Sequence, residues 1–228
     1  MDDRFLISVQ EAANRLGVSA DAVRKRIASG RLPAQRRGRE WWLDAREVDR
    51  MARKRPGQGR PLSAQMAWAV LLLASGDADA AARAVRNPRY RTRLRSWLRD
   101  HSLAEHASRL RARADAEEFD AHASELARIV DRPDVLTTGI SAADAAGLLG
   151  GSSAVEIYAP AAHREAFIDE HALERGPGPV RIRWVSDEIW ALLDQDNDRR
   201  APRAAVLVDL LENDDPRARR EAARALES

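Results

Sequence analysis

The sequence predicts a mainly α-helical protein with small β-sheets: an N-terminal helix-turn-helix with a hairpin wing, a helical segment, and a C-terminal α/β or α+β domain. Three observations support this class. Two capped helices and a hairpin pattern fill the first 54 positions. A stretch rich in proline and glycine follows them. Beyond residue 118, short apolar runs alternate with capped helices, which indicates a small sheet packed with helices.

The N-terminal region begins with two helices separated by a short turn. Ser8 and Glu11 form a capping box for the first helix, and Ser19 caps the second. Residues 17–19 give the turn the length of a helix-turn-helix. The positions that would face the core recur at helical spacing: Ala12, Ala13 and Leu16, then Ala20, Val23 and Ile27.

A hairpin and a third helix complete this region. Residues 32–36 are predicted as a strand, 37–39 as a tight turn and 40–43 as the return strand. Asp44 and Glu47 form a second capping box, which predicts a short helix directly after the hairpin. The order of helix, turn, helix, hairpin and helix is that of a winged helix-turn-helix.

A predicted linker separates the N-terminal region from the rest of the chain, because its two prolines and two glycines cannot continue the preceding helix. The predicted regions are 1–54 (winged helix-turn-helix), 55–62 (linker), 63–114 (helical segment) and 115–228 (C-terminal domain). Helices are predicted over 64–74, 77–85, 88–100, 102–114, 124–130, 141–149, 161–171, 202–211 and 216–226. Extended segments are predicted over 119–121, 135–138, 155–158 and 181–185.

Charge is distributed unevenly, although the formal net charge is only +2. Residues 1–60 carry a net charge of +7, residues 61–113 of +6 and residues 114–228 of −11. A basic half suits a polyanion. An acidic half suits a basic protein partner, or simply keeps the chain in solution.

The second helix is the predicted DNA-recognition helix, because an α-helix fits the major groove and its first residues meet the base edges. Arg24 is the predicted guanine contact, with Lys25 beside it and Arg26 towards phosphate. The arginine-rich tip of the wing would follow the backbone or enter the minor groove. The predicted DNA-binding residues are Ser19, Arg24, Lys25, Arg26, Arg36, Arg37 and Arg39. The alternative is that these arginines are solvated surface in an arginine-rich protein.

The sequence does not support thiol chemistry, metal binding or catalysis. The chain has no cysteine, so thiol catalysis, disulfides and zinc–thiolate sites are excluded. Asp194, Asp196 and Asp198 imitate the start of a calcium loop, but Arg199 and Ala205 stand where its glycine and final glutamate belong. Phosphate-binding and nucleophile-elbow motifs are missing from the sequence. We therefore expect a non-enzymatic protein without cofactor or metal.

No apolar run approaches the roughly 18 residues that span a bilayer, and the first residues do not form an export signal. We therefore expect a cytoplasmic protein with no membrane partner.

Residues 5–52 resemble the winged helix-turn-helix of the excisionase and MerR superfamily. The resemblance lies in "SVQEAANRLGVS", "VRKRIASGRLPA" and the exit pattern W-x-D-x-x-E-V. It implies binding to double-stranded DNA. MerR regulators continue into a long dimerising helix, whereas the helix of this chain ends before Pro56-Gly57, so a MerR-type sensor is not expected. Free-standing excisionases are much shorter than the 228 residues of this chain.

Residues 115–226 resemble the C-terminal domain of AbiEi-type antitoxins, most clearly in "RAPRAAVLVDLLENDDPRARREAARAL" over 200–226. The resemblance implies a protein that represses its own operon by binding the promoter and counters a nucleotidyltransferase-type toxin. The alternative is a transcriptional regulator or excisionase-like factor whose C-terminal domain serves oligomerisation. An enzyme with an appended DNA-binding module is a third hypothesis.

The arginine-rich helix predicted over 88–100 has two interpretations. It is either a second phosphate-contacting face or a solvated helix with salt bridges to the acidic half.

Overall fold

The structure, a computed structural model, describes residues 6–16, 18–30, 32–38, 40–53, 61–145, 154–193 and 199–227. The chain divides into two compact units, Met1–Pro56 (unit 1) and Gly57–Ser228 (unit 2). The fold class is the predicted one, a helical protein with small sheets and an N-terminal helix-turn-helix.

Unit 1 packs its helices against a small antiparallel sheet. Its elements are β1 (Leu6–Ser8), α1 (Val9–Leu16), α2 (Ala20–Ala28), β2 (Ala34–Arg37), β3 (Glu40–Asp44) and α3 (Ala45–Arg53). The central strand β3 pairs with both β1 and β2. Side chains from every helix and from β3 meet in one apolar core, whose most buried members are Ala12, Ala13, Leu16, Val23, Leu32, Leu43 and Val48.

The first strand of the wing begins two residues later than predicted. Leu32 is instead a core residue, only 1% exposed, and its N–H donates to the Arg26 carbonyl at the end of α2. Pro33 cannot donate a ladder hydrogen bond. At the other end, Arg37 pairs with Glu40, so the strand includes Arg37 and the turn is shorter than predicted. Gly38 has φ of +63°, the left-handed conformation that a two-residue hairpin turn requires.

Strand β1 was not predicted, because Leu6 and Ile7 are too short an apolar run to indicate a strand. Ile7 pairs with Leu43 and packs against the core. The strand therefore covers the edge of β3 that the wing leaves open.

Unit 2 builds helices around a five-stranded mixed sheet. Its first helices are α4 (Ala64–Ala74), α5 (Ala78–Ala84), α6 (Pro88–Asp100) and α7 (Leu103–His106), followed by a 3₁₀ helix over Ala107–Arg113. Then come β4 (Asp115–Asp120), α8 (Ala123–Val130), β5 (Leu136–Thr137), α9 (Gly139–Ala145), β6 (Val155–Pro160), α10 (Arg164–Glu170), β7 (Glu174–Arg175), β8 (Val180–Val185), α11 (Asp187–Leu193), α12 (Arg203–Leu210) and α13 (Pro216–Glu227). The sheet order is β5-β6-β8-β4-β7; among these neighbouring strands β6 and β8 run parallel, and the other pairs are antiparallel.

Several predicted elements differ from the observed ones. The helix predicted over 102–114 is a single α turn followed by the 3₁₀ helix, and β4 is longer than predicted. Helix α11 and strand β7 were not predicted. The structure does not describe residues 146–149, the end of the helix predicted over 141–149. The three aspartates that resemble the start of a calcium-binding loop also lie outside the described residues.

Helix α4 joins the helical segment to the C-terminal region. All side chains over 67–72 are buried, because the helix is apolar on every face. They share one cluster with Tyr158 of β6 and with helices α11 and α12. The Trp68 indole N–H donates to the Arg113 carbonyl over 2.8 Å, and its ring meets Tyr158 edge-on.

The two faces of the sheet differ in chemistry. One face is apolar and packs against α8 and α10 through residues such as Ile157, Phe167 and Ile182. The opposite face carries Glu156, Tyr158 and Arg183, all almost fully buried. Helix α12 and the 3₁₀ helix contribute the groups that pair with this polar face, namely Arg113, Asp209 and, just after α12, Glu212.

A buried ionic network connects these groups. Arg183 contacts Glu156 at 3.0 Å, Asp209 at 3.1 Å and Glu212 at 3.1 Å. Arg113 contacts Asp209 and, at 2.8 Å, Glu212, while its Nε donates to the Tyr158 hydroxyl at 3.1 Å. Burial alone would lower the pKa of Arg183, but attraction by Asp209 and Glu156 outweighs it and raises the pKa. Both arginines therefore stay charged inside unit 2.

The start of α9 is fitted tightly against this network. Gly139 has φ of +50°, and a Cβ there would collide with the Glu156 carboxylate. Only glycine combines this backbone conformation with so close an approach.

Replacing Asp209 with asparagine should destabilise unit 2 strongly, because two buried guanidinium groups lose their shared carboxylate. We expect a loss of about 3–5 kcal/mol in the free energy of unfolding. Glu221→Gln is the control, since the Glu221–Arg224 pair is exposed and should be worth less than about 1 kcal/mol. Equal effects of the two substitutions in urea unfolding would contradict a structural role for the network.

Glu212 should make stability depend on pH. Burial alone would raise the pKa of Glu212, but attraction by Arg113 and Arg183 outweighs it and lowers the pKa from 4.5 to about 2. The ionised carboxylate therefore contributes stability that is complete above about pH 5 and disappears as the pH falls towards 2. Because the side chain is 37% exposed, we discount this contribution to about 1–2 kcal/mol.

Urea unfolding of Glu212→Gln and of the unsubstituted protein tests this dependence. The difference in unfolding free energy should be largest at pH 7 and should shrink steadily below pH 5. A difference that is the same at pH 7 and pH 3 would be inconsistent with the lowered pKa of Glu212.

Candidate nucleic-acid interface

Ser19 fixes where α2 begins. The residue is in an extended conformation, and its Oγ accepts a hydrogen bond from the Ala22 N–H over 3.2 Å. This is the geometry of an N-cap, which satisfies one of the free N–H groups of the first turn. Ser19 is exposed, so it lies at the accessible N-terminal end of the helix.

The core determines which face of α2 remains accessible. Val23 is fully buried, and Ala20 and Ile27 pack beside it. Because successive residues are rotated by about 100° around a helix, Lys25 lies nearly opposite Val23. Arg24 is on one flank of the exposed face and is exposed, as is Lys25. Arg26 lies on the other flank, closer to the core, and is only partly exposed.

Arg24 already has a partner on the same helix. Its guanidinium contacts the Asp21 carboxylate at 2.6 Å, one turn earlier. Both side chains are largely exposed, so water screens the pair and it can be exchanged for another partner at little cost. The three-residue spacing of Asp21 and Arg24 is a signal for this pair that the sequence already contains. Lys25 has no ion pair with any described residue.

The wing separates the arginines that the sequence groups together. Opposite residues of an antiparallel pair share a face, and Arg36 pairs with Trp41 while Arg37 pairs with Glu40. Arg36 lies over the Trp41 ring, 5.9 Å from its centroid, and Trp41 packs against the core. Arg37 is therefore on the outer face of the hairpin. Arg39 lies outside the described residues.

Two other arginines of unit 1 form ion pairs with carboxylates of α1 and α3. Arg15 contacts Glu11 at 3.0 Å and Asp49 at 3.4 Å, and hydrogen bonding to Glu11 is the main cause of its raised pKa. Arg50 pairs with Glu47 on α3. Carboxylates of α1 and α3 are thus bound to nearby arginines, while Arg24 and Lys25 on α2 and Arg36 and Arg37 on the wing are exposed.

The described residues contain no group of three or more histidine, cysteine, aspartate or glutamate side chains that could hold a metal ion. Within the same part of the chain, no helix has the length and apolar character needed to cross a membrane.

Comparison with known proteins identifies the N-terminal region. Residues 6–56 match the family model described as a helix-turn-helix domain. No curated protein and no solved structure matches the chain. The family match and the exposed basic face of α2 together support a DNA-binding regulator.

Proposed function

We propose that the chain is an antitoxin that represses its own operon through unit 1 and counteracts a nucleotidyltransferase-type toxin through unit 2. The observation that carries the DNA-binding part of the proposal is the exposed face of α2 within a matched helix-turn-helix domain. On this proposal the protein acts by binding alone and performs no catalysis.

Recognition of DNA follows from the geometry of α2. With Val23 in the core, Arg24 and Lys25 are the side chains that a helix in the major groove would present to bases. Arginine can donate two hydrogen bonds to O6 and N7 of guanine, which distinguishes this base from the others. Release of Arg24 from Asp21 precedes this contact. Arg37 on the outer face of the wing supplies a contact to phosphate that does not depend on sequence.

Binding of a basic protein partner is supported by the acidic C-terminal region and by its resemblance to antitoxin domains. Many acidic side chains around the sheet are bound to arginines of unit 2, including the Glu117–Arg164 and Glu118–Arg181 pairs. Other carboxylates are exposed and have no ion pair with a described residue: Asp120, Asp169, Glu174, Asp187 and Glu188. Such groups steer association with a basic surface.

Arg24→Ala should reduce sequence preference. Loss of a bidentate guanine contact should cost about 1–3 kcal/mol on the preferred site and much less on other sequences. The measurement is fluorescence anisotropy with a duplex from the region upstream of the gene and with a scrambled duplex of the same composition.

Arg37→Ala is the comparison variant for that experiment. It should weaken binding to both duplexes by a similar factor, because phosphate contacts carry no sequence information. If Arg24→Ala weakens binding to the two duplexes equally, α2 does not read bases. If the unsubstituted protein binds neither duplex at low salt, the DNA-binding proposal is wrong.

Co-expression tests the antitoxin proposal. A nucleotidyltransferase encoded beside this gene should arrest growth when expressed alone, and co-expression of this protein should restore growth. In this experiment the toxin is expressed from its own promoter and this protein from an unrelated one. The double variant Arg24→Ala, Lys25→Ala should also restore growth, because unit 2 is proposed to act on the toxin without DNA.

Two outcomes would contradict this assignment. Failure of the unsubstituted protein to restore growth would remove the antitoxin function and leave a regulator whose larger unit serves oligomerisation. Rescue lost only in the α2 double variant would mean that repression of the operon, and not unit 2, protects the cell.

A further inference from the structure

Helix α6 of unit 2 presents an arginine-rich face to solvent. Leu94 is turned into the core, and Trp97 and Leu98 pack beside it. Four arginines on the remainder of the helix are exposed and have no ion pair with any described residue: Arg89, Arg93, Arg95 and Arg99. Arg91 differs, because its guanidinium donates to the Val85 and Arg86 carbonyls and so fixes the junction with α5.

Several arginines on other described helices have an acidic partner on the same helix. In five described pairs an acidic residue precedes the arginine by three or four positions: Glu11–Arg15, Asp21–Arg24, Glu47–Arg50, Glu125–Arg128 and Glu221–Arg224. This spacing lets the two side chains meet on one helix face. Within α6, the position four residues before Arg93 holds Arg89, and the position four before Arg99 holds Arg95.

This arrangement is unfavourable for the helix itself. Arginines four residues apart repel each other, where the acidic alternative would attract. Arg89 also lies in the first turn, next to the positive end of the helix dipole. The interpretation of α6 as a solvated helix with salt bridges to the acidic half is not supported by the described contacts. Residues that lower local stability without a structural gain indicate a functional requirement.

We propose that the exposed face of α6 binds the phosphate backbone of duplex DNA as a second contact, independent of α2. The inference rests on the proposed DNA binding of unit 1. A chain whose first unit binds DNA holds its second unit at a high effective concentration of the same polyanion. Duplex DNA is therefore favoured over an acidic protein as the occupant.

The dimensions and chemistry of the face suit this ligand. Arg89 and Arg99 are ten residues apart, about 15 Å along the helix. One strand of B-DNA presents a phosphate every 3.4 Å or so along its axis, so several phosphates pass such a face. Guanidinium groups form bidentate hydrogen bonds to phosphate.

The salt dependence of DNA binding tests the proposal. The variant Arg89→Gln, Arg93→Gln is compared with Arg217→Gln, Arg220→Gln, which removes the same charge from exposed positions on α13. The dissociation constant of the full chain is measured on the upstream and scrambled duplexes between about 50 and 300 mM KCl. Each phosphate contact contributes roughly 0.9 to the slope of log K against log salt.

The α6 variant should lower that slope by about 1.8 on both duplexes, and the α13 control should change it by less than about half as much. A slope unchanged in the α6 variant, with normal binding by the unsubstituted protein, overturns the α6 contact alone. Equal changes in the two variants also overturn it, because net charge would then explain the effect. No binding by the unsubstituted protein overturns both this contact and the proposed function.

A second variant separates binding from folding. Arg89→Glu places an acid four residues before Arg93, so it should raise the melting temperature or leave it unchanged while weakening DNA binding. Lower thermal stability of Arg89→Glu would show that Arg89 supports the fold, and the proposal would fall.

Discussion

The burial of Val23 in the core of unit 1 is the constraint on which the proposed interface depends. It fixes the rotation of α2 about its own axis, because the helix has one apolar stripe and the core accepts only that stripe. The same burial directs Lys25 outward and leaves Arg24 on the flank, paired with Asp21. The position of α2 along its axis is set separately. The Ser19 cap fixes where the helix starts, and Leu32, which follows the helix, is buried in the core.

Unit 2 is held together by different physics. Its sheet has an apolar face and a buried polar face. The charged groups of the polar face form ion pairs with residues from distant segments of the sequence. Arg113 and Asp209, for example, are 96 residues apart in the chain. Buried charges that are fully paired need not add stability compared with apolar residues, but losing one partner is costly. The network thus determines that α12 and the 3₁₀ helix pack against the polar face of the sheet. The arginines of α6 represent the opposite case, since they lie outside the core and have no described acidic partner.

Local signals explain what the sequence predicted correctly. The caps and apolar spacing of α1 and α2 are contained within a few residues. Strand β1 was missed because its stability comes from pairing with β3, nearly forty residues away. Alternation in Val180–Val185 is typical of a strand with one solvated face, yet Arg183 is only 1% exposed. Nothing local to β8 indicates that Asp209 and Glu212 cover it. The division of Arg36 and Arg37 between two faces follows from strand alternation once β2 is known to extend to Arg37.

Protection of guanine N7 from methylation by dimethyl sulfate tests the central claim most directly, because N7 lies in the major groove. The full chain is bound to the duplex from the region upstream of its gene, and methylation is compared with that of free DNA. Protein binding should protect N7 at one or a few guanines, and Arg24→Ala should lose this protection while still forming the complex. Binding without any protection of N7 would place the contact outside the major groove and contradict the role assigned to α2.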